Sequence, residues 1–89
     1  MATVITGKLR DVWMNGNEPV LVIGHPKVSG RVIREHLNVR QRDILKGASV
    51  GELKINDFVS IKCDLSQYAH NGEHKACAIN ITSIKRSAM

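Results

Sequence analysis

Residues 50–86, VGELKINDFVSIKCDLSQYAHNGEHKACAINITSIKR, hold the pattern that decides the fold. Val59, Ile61, Cys63 and Leu65 alternate with Ser60, Lys62 and Asp64, the period of a half-buried strand. Asn71-Gly72 marks a turn, because both residues tolerate positive φ. The chain then returns through Cys77, Ile79 and Ile81, again spaced by two. A two-residue turn at Asn71-Gly72 would set Cys63 against Asn80 and Ile61 against Thr82, apolar against polar. A one-residue slip reverses every face, so the apolar pattern should decide the register. It predicts a longer loop over residues 66–74, or a bulge beside the turn.

Toward the N-terminus, residues 3–13 are β-branched and alternating, with Gly7 inside them. That glycine predicts a bulge or sharp bend, as where one strand serves two sides of a small barrel. Asn15-Gly16-Asn17 is a turn, and the apolar run PVLVIG at 19–24 is a central strand completing a first hairpin. Residues 25–30, HPKVSG, read as a second loop.

The next stretch, RVIREHLNVRQRD at 31–43, admits two conformations. A helix would align Ile33, Leu37 and Ile44, with Ser29 as cap. A strand would align Ile33, Leu37 and Val39 on one face and Arg34, His36, Asn38 and Arg40 on the other. The length of the alternation favours the strand. Asp43 then reads as the N-cap of a short helix, DILKGASVGEL, which Gly47 weakens and Gly51 ends. The expected order is three strands, a short helix and two strands, an all-β, five-stranded OB-fold barrel with one short helix between strands 3 and 4. The tail at 85–89 is expected to fray.

Eighty-nine residues suit one small domain, 1–89, with a modest core. No apolar run is long enough for a membrane-spanning helix, and the start lacks a secretory pattern, so a cytoplasmic location and no membrane partner are expected. Thirteen Lys and Arg against eight Asp and Glu give a formal charge of +5, which suits a polyanion partner, nucleic acid first. Cys63 and Cys77 fall on inward positions of the last hairpin and read as buried thiols rather than a disulfide. His25, His36, His70 and His74 make no metal-ligand spacing with them, so neither metal nor cofactor is expected.

Several of these segments resemble the bacterial and phage single-stranded DNA-binding protein family, including the primosomal replication protein N branch. Val4-Ile5-Thr6-Gly7-Lys8-Leu9 looks like its first strand. The run from Leu53 to Ile61, the hairpin with Tyr68 and Asn71-Gly72, and the closing Ile79, Ile81 and Ile84 look like its last two. Together they cover about half the chain. The middle departs from the pattern: Arg34-Glu35-His36-Leu37 stands where that family has a Trp followed by apolar residues. A Gly-rich acidic C-terminal tail, which in that family recruits other replication proteins, is missing from the sequence. The resemblance implies an OB fold, single-stranded DNA as partner, an aromatic near Tyr68 and a part in replication or recombination. A host cytoplasm is implied if the chain is phage- or plasmid-encoded.

Binding a single strand without sequence preference needs cations along the phosphates and flat side chains against the bases. The chain has three aromatics. Trp13, ending the first strand, and Tyr68, in the last loop beside His70, are the candidate stacking platforms. Phe58 is expected to pack against the helix or a partner subunit. The candidate cations are Lys8 and Arg10 on the first strand and Lys27 and Arg31 around the second loop. Arg34, His36 and Arg40 follow on the third strand, and Lys62 and Lys75 flank the last loop. Lys85 and Arg86 read as tail charges. No nucleophile and base stand at a useful spacing, no Gly-rich loop precedes a helix, and the acids are scattered, so no enzyme is expected. Single-stranded DNA is the expected partner and single-stranded RNA the alternative. A replication accessory subunit working through protein contacts is a third option, and a homodimer is the expected assembly.

Overall fold

A computed structural model describes residues 3–70 and 72–87, the side chains of His70 and His74 excepted. Seven strands run in chain order: β1 (Thr3–Asn15), β2 (Glu18–Val28), β3 (Arg31–Val32), β4 (Leu37–Arg40), β5 (Ile44–Val50), β6 (Phe58–His70) and β7 (Glu73–Arg86). A single 3-10 turn, Gln41–Asp43, joins β4 to β5, and no α-helix occurs among the described residues.

Five strands form a near-closed ring: β1 beside β2, β2 beside β4, β4 beside β7, β7 beside β6, and β6 back to β1. All these pairings are antiparallel except β4 with β7. Two short additions lie outside the ring, β3 on β2 and β5 parallel to β7. Strand β1 serves two sides, meeting β6 through Thr3 to Lys8 and β2 through Ile5 to Asn15. The bend falls at Gly7, as expected, where the register with β2 shifts between Thr6 and Lys8. A Cβ on Gly7 would stand 2.5 Å from Ile23 Cγ2 and 3.0 Å from the Gly24 carbonyl oxygen, so only glycine lets the strands cross this closely.

The core is aliphatic. Ile5, Ile61 and Ile84 stand in one cross-strand row and are at most 1% exposed. Ile23, Leu37 and Ala76 form a parallel row across the other wall. Residues 51–57 close the gap between β1 and β6. Leu9 N donates to Asp57 O and Asn56 N to Leu9 O, both at 2.8 Å, while Leu53 packs on the core.

The last hairpin differs from expectation in its register. Its ladder continues out to His70 opposite Glu73, so only positions 71 and 72 connect the strands, and Gly72 has φ +80°. Asn71 itself lies outside the described residues. The irregularity sits ten residues back: Lys62 faces Ser83 and Asp64 faces Ile79, leaving Cys63 opposite three residues of β7. Asn80, at φ +51°, takes up this bulge and donates Nδ2 to Asp64 Oδ2 at 3.0 Å. The inward residues of β7 are therefore Ala76, Ala78, Ile81 and Ile84, and apolar still meets apolar.

Three other expectations are corrected. Residues 25–28 extend β2 rather than forming a loop, because His25 and Pro26 occupy the bulge opposite Gly7, where a missing N–H breaks no ladder bond. Residues 31–43 alternate as a strand only over Leu37–Arg40, with a bend at 34–35 separating them from β3. The helix expected from Asp43 is strand β5. The Asp43 carboxylate accepts from Arg40 Nε at 2.7 Å instead of capping, and Gly47 at φ +86° breaks helical geometry. The tail holds its pairing to Arg86, and Ser87 N donates to Phe58 O.

Cys63 and Cys77 are free, buried thiols, but only Cys63 lies inward as expected; Cys77 alternates with the inward Ala76 and Ala78 and is buried on the outer side of β7. Burial, with a smaller push from Asp64, raises Cys63 from 9.0 to about 11. Burial also raises Cys77, against an opposing pull from Arg40. Because the folded value of Cys63 exceeds its ordinary one, its contribution to stability is complete below pH 9.0 and is lost as pH rises toward about 11. Since the thiolate is the reactive form, iodoacetamide near neutral pH is expected to label neither thiol until urea unfolds the chain. Equal labelling of native and unfolded protein would contradict this burial.

Candidate functional site

The outer face of the ring carries a depression of about 730 Å³ between the β1–β2 hairpin and the β6–β7 hairpin. Pairing builds it row by row. Trp13 on β1 stands opposite Val20 on β2, and Val20 opposite Arg40 on β4. The next row runs Asp11, Val22, Asn38, Cys77 and Ser66 across all five ring strands. Tyr68 opposite Lys75 supplies the far wall. The floor is thus apolar valines with one polar group, Asn38, whose Nδ2 donates to Ala76 O at 3.3 Å.

None of the three aromatic rings lies in the core. Trp13 is 43% exposed, Phe58 38% exposed and Tyr68 half-buried. Burying such rings is a large source of stability in so small a chain. Here they stand instead at the rims of surface depressions. Arg40 lies over the Tyr68 ring, its guanidinium carbon 5.4 Å from the centroid, within cation–π range.

The charges around the depression are not equivalent. Arg42 gives Nε and Nη2 to the Glu18 carboxylate, at 2.7 Å for the shortest contact, and its backbone N–H donates to the same group. These hydrogen bonds hold Glu18 below its ordinary carboxylate value and raise Arg42. Arg42 is therefore a strut fixing the 3-10 turn to the start of β2. Arg40 is raised by its bond to Asp43, which takes Nε alone among the described contacts. Its remaining N–H groups and its planar face are oriented by that bond. Among the described contacts Lys75 makes a single long one of 3.9 Å to Glu73, and Arg10 is exposed. Asp11 and Glu35 also line the depression, so its field is mixed, with the cations in the majority.

Of the candidate binding residues, the fold gathers Arg10, Trp13, His36, Arg40, Tyr68 and Lys75 around this depression. Tyr68 stands on strand β6 rather than in a loop, which fixes its ring. Lys8 and Lys27 line a second, smaller cleft, which Arg10 also borders. Arg31 is on β3, Arg34 in the bend before β4, and Lys62 on β6 opposite Ser83; none lines either cavity. The side chain of His70 lies outside the described residues. Phe58, expected to pack against a helix or a partner, borders the smaller cleft beneath Lys8. Arg42 and its tie to Glu18 went unread in the sequence because the partners are 24 positions apart and neither belongs to a motif.

No protein-family model matches the chain, no curated protein matches it, and no solved structure matches its fold.

Proposed function

We propose that the chain is an OB-fold module that binds single-stranded DNA across this depression with little sequence preference, shielding or organising it during replication or recombination. Support comes first from the order of the ring. In an OB fold the second and third barrel strands and the loops joining strands 1–2 and 4–5 make the binding face. Here the corresponding elements are β2, β4 and the two hairpins that bound the depression.

The observation that carries the proposal is that Trp13 and Tyr68, two of three aromatics, are kept out of an aliphatic core and flank an apolar floor between cations. Stacking contributes about 1–3 kcal/mol per base and tolerates any base, because every base has a π face. Arg10, Arg40 and Lys75 are placed to follow phosphates, while Asn38 and His36 offer polar contacts. Among the described residues the floor provides no array of donors and acceptors facing one base, in keeping with weak sequence preference.

Competition for a labelled oligo(dT) tests the class of partner. Unlabelled single-stranded DNA of the same length is expected to displace the label much better than duplex DNA, whose stacked bases cannot reach Trp13 and Tyr68. Single-stranded RNA displacing it more effectively would reassign the site to RNA. Equal competition by duplex and single strand would reduce the interaction to non-specific charge. No binding to any nucleic acid, with salt-resistant capture by a replication protein, would favour the accessory-subunit alternative.

A further inference from the structure

We infer that the smaller cleft is a second nucleotide subsite, and that the bound strand passes from the main depression across Arg10 into it. The inference rests on the single-strand reading above and extends it by a path. The cleft has a volume of about 400 Å³ and is bordered by Lys8, His25, Lys27 and Phe58 around the Gly7 bend. It combines the two things a nucleotide needs. Lys8 and Lys27 supply cations, and no acidic side chain borders the cleft among the described residues. Phe58 supplies a ring that is 38% exposed, with Lys8 Nζ 5.9 Å from its centroid. A base that slid onto this ring would leave the ammonium beside its phosphate.

Arg10 borders both cavities and so stands between them, where a strand leaving one would meet it before entering the other. Its direction is a consequence of backbone geometry. Leu9 pairs with Ile23 and Asp11 with Val22, so Arg10 is the extra residue of a bulge and is re-aimed out of the ladder. Its aliphatic stem lies on the backbone of Gly24. A Cβ there would collide with Arg10 Cγ and stand 2.9 Å from Cδ, so the absence of a side chain at 24 is what gives this arginine its seat. Gly24 has ordinary strand backbone, and its lack of a side chain, not its flexibility, is the feature in use.

A length series of oligo(dT), from roughly 4 to roughly 16 nucleotides, tests the path by anisotropy. Wild-type affinity is expected to rise as the strand grows long enough to enter the second cleft. In the Lys8→Ala/Lys27→Ala variant the rise is expected to stop at a shorter length. On long oligonucleotides its log–log salt slope should be shallower by about 1.4, at about 0.7 for each lost phosphate contact. Gly24→Ala removes no charge but unseats Arg10, and it should also flatten the length dependence while circular dichroism shows an intact fold. If the lysine variant lost affinity by one common factor at every length, or matched wild type throughout, the subsite would be overturned with the main site still standing. If wild type bound no oligonucleotide at all, the parent reading would fail, a distinct result.

Discussion

The variant Trp13→Ala/Tyr68→Ala is expected to lose at least about 30-fold in affinity for oligo(dT), because two stacked bases at about 1–3 kcal/mol each are removed together. The loss should appear without unfolding. Trp13 is 43% exposed and Tyr68 is half-buried on the outer face, and neither belongs to the aliphatic core. The single variants are expected to differ in kind. Trp13→Ala removes one platform and nothing else. Tyr68→Ala also takes away the ring under Arg40, whose guanidinium then keeps only its bond to Asp43. Trp13→Phe and Tyr68→Phe should restore much of the affinity, since a π face and not a hydrogen bond is required. Labelled-DNA anisotropy measures all of these, with thermal unfolding as the control. A folded double variant that binds like wild type would remove the site from this face.

Ile61→Ala is expected to cost about 2–5 kcal/mol of stability, the usual range for an aliphatic residue truncated in a packed core. Ile61 is fully buried, with Ile5 of β1 and Ile84 of β7 as its cross-strand neighbours. The cavity would open at the seam where β6 joins both sides of the ring, and strands held on two sides have little freedom to collapse into it. A chain of this length has a total stability on the order of 4–13 kcal/mol, so one truncation removes a large share. Urea unfolding should show a much lower midpoint with an unchanged slope. A midpoint shift corresponding to less than about 1 kcal/mol would mean that the ring is not closed around this residue.

Strands β1 and β6 are legible because their apolar residues alternate, β2 because its apolar run lies between turn residues, and the Gly7 bend because a glycine inside a β-branched run has few other uses. The register of the last hairpin was not legible. Counting back from Asn71-Gly72 gives the ladder near the turn correctly, but two extra residues of β7 enter opposite Cys63, and nothing in the run CAINIT marks Asn80 as the one that takes left-handed geometry. Residues 25–28 looked like a loop because Pro26 usually ends strands. Only the three-dimensional bulge opposite Gly7 makes that proline harmless. The helix after Asp43 was drawn from a capping residue whose carboxylate is held by Arg40 instead.

The candidate site divides in the same way. Trp13 and Tyr68 stood out because there are so few aromatics to choose from, and His36 and Arg40 because they alternate with inward Leu37 and Val39. The cation–π contact of Arg40 with Tyr68 spans 28 positions of sequence, and the sharing of Arg10 between two cavities depends on a bulge. Neither leaves a local signature. By charge alone Lys62, Arg31 and Arg34 are equals of Arg40, although none of the three borders either cavity.

In the proposed complex Trp13 receives the bases of a single strand whose phosphates lie along Arg10, Arg40 and Lys75. The intrinsic fluorescence of Trp13, the sole tryptophan, reports this contact when titrated with short oligo(dT) at two salt concentrations. The expected result is saturable quenching with an affinity that falls at a log–log slope of about −2, about 0.7 for each of three phosphate contacts. No quenching at low salt, together with no shift of the DNA on a native gel, would contradict the account.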